Sequence, residues 1–249
     1  MTATRRSLLG IAALLAMPVR AQSGVARRYG VLSAMGDRLT VVAYQPTTGT
    51  RIDRNERWDV PIGSTQLDDA ALLAVRSGLP PTAADGTAFY RVAPDQFPRW
   101  QAMVDRGTVA MPVDVASALT RDGVTHLVLV VKLRSAASVQ IFDGRIGSGN
   151  LEGLGLYLDH GMEMRTRETG ARGKGFIAPY VYVQLALVDV AAARIVARES
   201  VKVARAHSAA TSATGRDPWE ALSAEQKSQL IGDVIATDVR DATERLVAG

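Results

Sequence analysis

The run His126-Leu127-Val128-Leu129-Val130-Val131-Lys132-Leu133 sets the tightest limit on how this chain can fold. Its apolar residues follow one another without alternating, so both faces of the strand they form must be covered. A strand with one wet face would place a polar residue at every second position instead. The chain therefore needs a sheet with further layers on both sides of this strand.

The flanking segments can supply those layers. Upstream, Ala88-Phe89-Tyr90-Arg91-Val92 reads as a strand, and helical stretches over about 95–105 and 112–122 separate it from the apolar run. Pro112 suits a first helical position and Gly123 a left-handed cap. Strand, helices and central strand make a plausible crossover unit, which places 88–92 parallel to 127–133. Nearer the start, Tyr29-Gly30-Val31-Leu32-Ser33-Ala34-Met35 and Leu39-Thr40-Val41-Val42-Ala43-Tyr44 are β-prone runs. Gly36-Asp37 between them suits a hairpin turn, because glycine accepts positive φ without a Cβ clash. A short strand over 57–62 and a helix over 65–77 follow. Thr65 with Asp68 has the spacing of a capping box, and Leu67, Ala71, Ala74 and Val75 share one helix face. Gly78-Leu79-Pro80-Pro81 ends that helix.

The second half reads as antiparallel, with strands over 138–142, 153–158, 177–190 and 194–204. The last two pair through Val190-Ala191-Ala192-Ala193. Small and polar residues over 206–215 read as a mobile surface loop. Asp217-Pro218-Trp219-Glu220 opens a final helix, with a restart at Ser223 as the alternative. Ile231, Val234, Ile235, Val239, Ala242 and Leu246 keep helical spacing, a stripe expected to dock onto the sheet.

Residues 1–21 have the three parts of a signal peptide in order: Arg5 and Arg6, an apolar run over 8–17, and Val19-Arg20-Ala21 before a cut at Gln22. The apolar run is about ten residues, half of the roughly 20 that span a bilayer, so a permanent anchor is not expected. Thr4-Arg5-Arg6-Ser7-Leu8-Leu9 fits a twin-arginine export signal or an ordinary Sec signal with two adjacent arginines. The expected product is a bacterial-type periplasmic or secreted protein of one domain, 22–249.

Export changes the charge argument. The whole chain is +4, but three of its 29 basic residues (Arg5, Arg6, Arg20) and none of its 25 acidic ones lie in this leader. The remainder is nearly balanced, and aromatic residues are only 5%. Neither a counterion-releasing patch nor a set of stacking platforms is left for nucleic acid. The chain has no cysteine, so no disulfide, thiol chemistry or cysteine-linked lipid is available. Stability must come from a core, and 47% apolar content is enough for one.

Few motifs carry chemistry. The glycines over 144–155 lie between strands and lack the fixed offsets and following helix of a phosphate cradle, so a flexible hairpin loop is the better reading. Asp159, His160 and Glu163 combine a base with two acids in an expected loop, the weak catalytic candidates of this chain. His126 and His207 have no metal-ligand spacing to them, and neither metal nor cofactor is implied. Arg165, Arg167, Arg172 and Lys174 form a basic stretch that would suit a lipid head group or a cell-wall polymer. A solvated loop is the plainer reading for both clusters.

Tyr182-Val183-Gln184-Leu185-Ala186-Leu187-Val188-Asp189-Val190, followed by Arg194-Ile195-Val196-Ala197, resembles the strand–turn–strand of periplasmic proteins related to the curli secretion lipoprotein and the penicillin-binding-protein activators. Ala192-Ala193 stands where that pattern has Thr-Gly, and the lipid-bearing cysteine is missing. The resemblance covers about residues 177–204. It implies a mixed sheet flanked by helices and an assembly or partner-binding role, and it carries over no functional residues.

The fold expected is thus a single mixed α/β domain with a partly antiparallel sheet, helices around it and the C-terminal helix packed on it. The leading function is a non-catalytic envelope accessory that binds a protein partner or a wall or membrane component. A hydrolase built on Asp159, His160 and Glu163 and a small-ligand carrier with a preformed apolar pocket are the alternatives.

Overall fold

The apolar run forms a central strand of a mixed sheet, as its composition requires. In the computed structural model the described residues are 27–46, 53–62, 65–165, 170–212 and 217–248; the expected leader and cleavage point, Ala21 and Gln22, lie outside them. In chain order the elements are β1 (Tyr29–Ala34), β2 (Arg38–Ala43), β3 (Glu56–Pro61), α1 (Gln66–Gly78), the single turn α2 (Pro81–Ala84) and β4 (Ala88–Tyr90). Then come α3 (Phe97–Arg106), α4 (Val113–Arg121), β5 (His126–Lys132), β6 (Arg134–Ala136), β7 (Val139–Ile141) and β8 (Gly144–Ile146). The long strands β9 (Asn150–Arg165), β10 (Arg172–Asp189) and β11 (Arg194–Ala204) follow, with a short β12 (His207–Ser208). The chain closes with α5 (Ala224–Val234), a π-helical turn (Ile235–Val239) and α6 (Arg240–Ala248).

One strand, β10, organises the sheet. Along one side, its residues from Arg172 to Tyr182 pair with β9 and those from Val183 to Asp189 with β5, both antiparallel. β5 and β9 therefore lie end to end, and the partner changes at Tyr182, whose carbonyl accepts from Leu133 N–H at 2.9 Å. Beside them, β1 pairs parallel with β5 and β2 parallel with β9. The other side of β10 holds β11 and β12.

That layout overturns the expected hairpin. β1 and β2 do not pair; they run on in the same direction into two successive slots. Gly36, at φ 88°, bends the chain between them. The crossover expectation is also amended: β4 and β5 are parallel in one sheet, but β1 is inserted between them. The last hairpin, β10 to β11, forms as expected, with Ala193 in the left-handed region at its turn.

Each face of the sheet has its own cover. Val128, Val130, Val183, Leu185 and Leu187 meet α1, α5 and α6 on one face. Leu127, Leu129 and Val131 meet Trp100 and Met103 of α3 and Leu119 of α4 on the other. Farther along that second face, Tyr157, Phe176, Tyr180 and Tyr182 pack under Val139 and Leu151, from the β7–β8 ribbon and the start of β9. The expected C-terminal stripe packs on the sheet: Ile231, Ile235, Val239 and Ala242 are fully covered, Leu246 nearly so, and Val234 is half-buried at its edge.

Several local readings are corrected. The helix expected from Asp217 is a 3-10 turn, and the α-helix starts after Ser223, whose side chain forms a capping box with Gln226. Pro112 stands at the N-cap of α4 and not inside it. The segment expected to be a mobile loop is ordered over 206–212, where β12 pairs with β10 and Ser208 and Ala209 are buried; 213–216 lie outside the described residues. Residues 139–146 form their own two-stranded ribbon.

Candidate functional site

Topology marks one place on this sheet. The chain leaving β1 passes through β2, β3 and α1 and returns as β4 beside β1, with α1 on the first face. The chain leaving β4 passes through α3 and α4 on the opposite face and returns as β5, on the other side of β1. Neighbouring parallel strands thus send their connections to opposite faces, which opens a crevice beyond their carboxyl ends. A crevice of about 300 Å³ lies there.

Its walls are mostly apolar. Leu72 comes from α1, Val92 from the segment after β4, and Pro94 and Phe97 from the entrance to α3. Tyr90, at the end of β4, also lines it; its ring packs with Leu119 and Val124, and its hydroxyl donates to Asp122 at 2.9 Å. Burial, and then that carboxylate, push the Tyr90 hydroxyl up to about 12.

Five polar residues, Ser33, Asp37, Thr65, Asp68 and Arg91, complete the lining. Ser33 sits on the α1 face of β1, where its apolar neighbours would otherwise continue, and is buried. A buried hydroxyl must be paired, and Asp68 in the first turn of α1 accepts from it. The same carboxylate oxygen accepts from Met35 N–H at 3.3 Å. Burial raises the Asp68 carboxyl above its ordinary range, and the bonds from Ser33, Met35 and Gly36 oppose that rise in part. Arg91 reaches Asp69 of α1 and Thr65 before it. Asp37 stands at the rim, 3.9 Å from Arg38.

The expected capping box therefore does not form. Thr65 makes no cap bond to the helix backbone; its hydroxyl bonds Asp69 at 2.9 Å, while Asp68 crosses to β1. In the sequence Asp68 has the look of a local helix signal, and Arg91 carries no pattern that sets it apart. The available signal was Ser33 itself, a hydroxyl inside an apolar strand.

The sequence-derived candidates lie elsewhere, on β9 and β10, where Glu163, Arg165, Arg172 and Lys174 line one open groove near the end of the ladder while Asp159 and His160 stay outside it. Asp159, His160 and Glu163 are on β9, not in a loop. Asp159 is nearly buried at the bulge opposite Gly175, and its carboxylate accepts from the N–H groups of Gly161 at 2.7 Å and Met162 at 2.9 Å. His160 and Glu163 face solvent, and Glu163 stands opposite Lys174 in the β9–β10 ladder. Arg165 and Arg172 face each other across the same ladder, near its end; Arg167 lies outside the described residues. His126 contacts the Thr125 hydroxyl at 3.0 Å, and burial lowers the pKa of both His126 and His207. Among the described residues no three His, Asp or Glu side chains gather as a metal site. The glycines over 144–155 lead into strands, so no helix N-terminus faces them.

A second, polar cleft of about 210 Å³ opens where β5 gives way to β9. Its charges are largely matched: Arg57 with Asp53, Arg134 with Glu152 at 3.9 Å, and Asp59 with the Thr40 hydroxyl at 2.9 Å. Tyr180 closes its floor by donating to the Thr40 carbonyl at 3.0 Å.

No family model and no curated protein matches the chain. Among solved structures it is similar to a neuraminyllactose-binding hemagglutinin homolog from Helicobacter pylori, at 7% identity over 89% of this chain and 86% of the other, with TM-score 0.42. It is also similar to a DUF330 protein from Xanthomonas campestris, at 12% identity over 90% and 86%, with TM-score 0.40. A third is the dodecamer of PelC from Paraburkholderia phytofirmans, at 10% identity over 87% and 89%, with TM-score 0.29. At these values the likeness assigns no site. None of the three is a curli secretion lipoprotein or a penicillin-binding-protein activator. Of that resemblance, what the structure carries is the strand–turn–strand of β10 and β11 and the helix-flanked mixed sheet.

Proposed function

We propose that this is an exported, non-catalytic binding protein whose ligand occupies the crevice beyond β1 and β4. The observation that carries this reading is the coincidence of a topological switch point with an apolar-walled cavity at which buried Ser33 is bonded to half-buried Asp68. Open α/β sheets take ligands at such points, and binding sites combine apolar walls with a few placed polar groups. This coincidence favours a small-ligand carrier over a hydrolase.

Binding fits these groups better than catalysis. Ser33 is 5% exposed and lies within a strand, so its hydroxyl is poorly placed to attack a bound substrate. The hydrolase reading at Asp159 has weaker support, because that carboxylate is already bound to two backbone N–H groups. Export rests on the leader-like residues 1–21. No helix among the described residues is long and apolar enough to cross a membrane.

A fragment screen by two-dimensional NMR on the chain from Gln22 tests the site. Ligands should move the amide signals of Ser33, Arg91 and Phe97, and Phe97→Ala should weaken them. Ligands that bind only at the β9–β10 end, around Arg165 and Lys174, would move the function to that ribbon.

A further inference from the structure

We propose that the crevice selects a cation: an ammonium group carried on a short apolar body. The inference rests on the crevice being the binding site and adds the class of ligand it takes.

Charge is the first argument. Two carboxylates, Asp68 and Asp37, face the crevice, and Arg91 is the single cationic side chain lining it. Arg91 is tied to Asp69 and to the Thr65 hydroxyl, so its charge is already answered from α1. Asp37, at the exposed rim, is likewise answered by Arg38 at 3.9 Å, so the negative charge that remains at the crevice is that of Asp68, and it favours a positive ligand over an anion or a neutral one.

The helix terminus gives the same sign. The N-terminus of a 13-residue helix such as α1 would ordinarily attract an anion. Here its first turn already holds the protein's own carboxylates, Asp68 and Asp69. An incoming anion would meet those charges, whereas an ammonium would meet a carboxylate held in place by Ser33 and Met35. A carboxylate fixed in this way needs little reordering to accept an ammonium proton.

The walls supply the rest. Phe97 brings an aromatic side chain to the lining, and aromatic rings attract cations through their quadrupoles. Leu72, Val92 and Pro94 would cover a short aliphatic body. A volume of about 300 Å³ limits that body to a small molecule or one side chain.

The test titrates the folded chain from Gln22 with n-hexylammonium, 1-hexanol and hexanoate, and follows the amide signals of Ser33, Arg91 and Phe97. Hexylammonium should bind at least tenfold more tightly than either other probe. Asp68→Asn should remove that preference while leaving hexanol binding in place. Asp37→Asn, at the exposed rim, should weaken the preference by a smaller factor and serves if Asp68→Asn fails to fold. Nα-acetyl-lysine methylamide separates two sources of the same chemistry: tighter binding than hexylammonium assigns the ammonium to a lysine side chain, and weaker binding to a free amine. If hexanol or hexanoate matches hexylammonium, the charge assignment is wrong and the crevice still binds. If none of the probes moves these signals, both the assignment and the crevice reading fall.

Discussion

Gly78, the last residue of α1, lies against Arg240 at the start of α6, so close that a Cβ on Gly78 would stand 2.4 Å from the Arg240 carbonyl oxygen. The same Cβ would come within 2.8 Å of the Thr243 Cβ. Both neighbours are held, since Thr243 is fully buried and its hydroxyl donates to the Val239 carbonyl at 2.8 Å. The obstacle is backbone, which cannot swing aside. Gly78→Ala should therefore cost about 1–3 kcal/mol by overpacking, read as a lower denaturant midpoint. An unchanged midpoint would show that the two helices can move apart freely.

The C-terminal stripe makes a second prediction. Ile235 is completely buried in the core shared by α1, α5, α6 and the sheet. Ile235→Ala should cost about 2–5 kcal/mol in chemical denaturation, whereas exposed Asp233→Ala should change stability by no more than about 0.5 kcal/mol. Equal effects would mean that the stripe is not carrying the packing.

Asp68 predicts a dependence on pH. Burial lifts its native pKa above the ordinary 3.8, so the native state holds this proton more tightly than the unfolded chain does. Its contribution is most favourable below the unfolded value and is lost as pH rises through the raised native one. Asp68→Asn cannot ionise and escapes that loss. In melts from about pH 3 to about pH 7, the variant should gain on the parent as pH rises. A constant difference would mean that Asp68 keeps its ordinary acidity in the fold.

Lys227 is buried, with its Nζ 3.8 Å from the centre of the Trp219 ring. Lys227→Met keeps the aliphatic stem and removes the charge, so it isolates the cation–ring attraction. It should cost about 0.5–1 kcal/mol or more, measured by denaturation. A more stable variant would show that desolvating the ammonium, which lowers its pKa here, outweighs the ring.

Processing is testable directly. Intact mass of the protein from the envelope fraction should correspond to a chain starting at Gln22 or within a residue or two of it. Retained Met1 or Thr2 would remove the export reading.

Local pattern settled much of this fold. The unbroken apolar run of β5, the β10–β11 hairpin and the stripe through Ile231, Ile235 and Val239 were legible in the sequence, because burial on both faces or along one helix face leaves a periodic record in the residues themselves. Partner choice leaves no such record. Tyr29 to Ala34 and Arg38 to Ala43 have the composition and the glycine turn of a hairpin, yet they run on in one direction. Only the end-to-end placement of β5 and β9 along β10 offers them two successive slots, with partners roughly a hundred residues away in sequence. The crevice has the same origin. Thr65 and Asp68 read as one helix cap, and it took the packing of α1 against β1 to bring Asp68 to Ser33. A side chain's need for a partner is set by its chemistry, but which partner meets it is decided by the tertiary arrangement of distant segments.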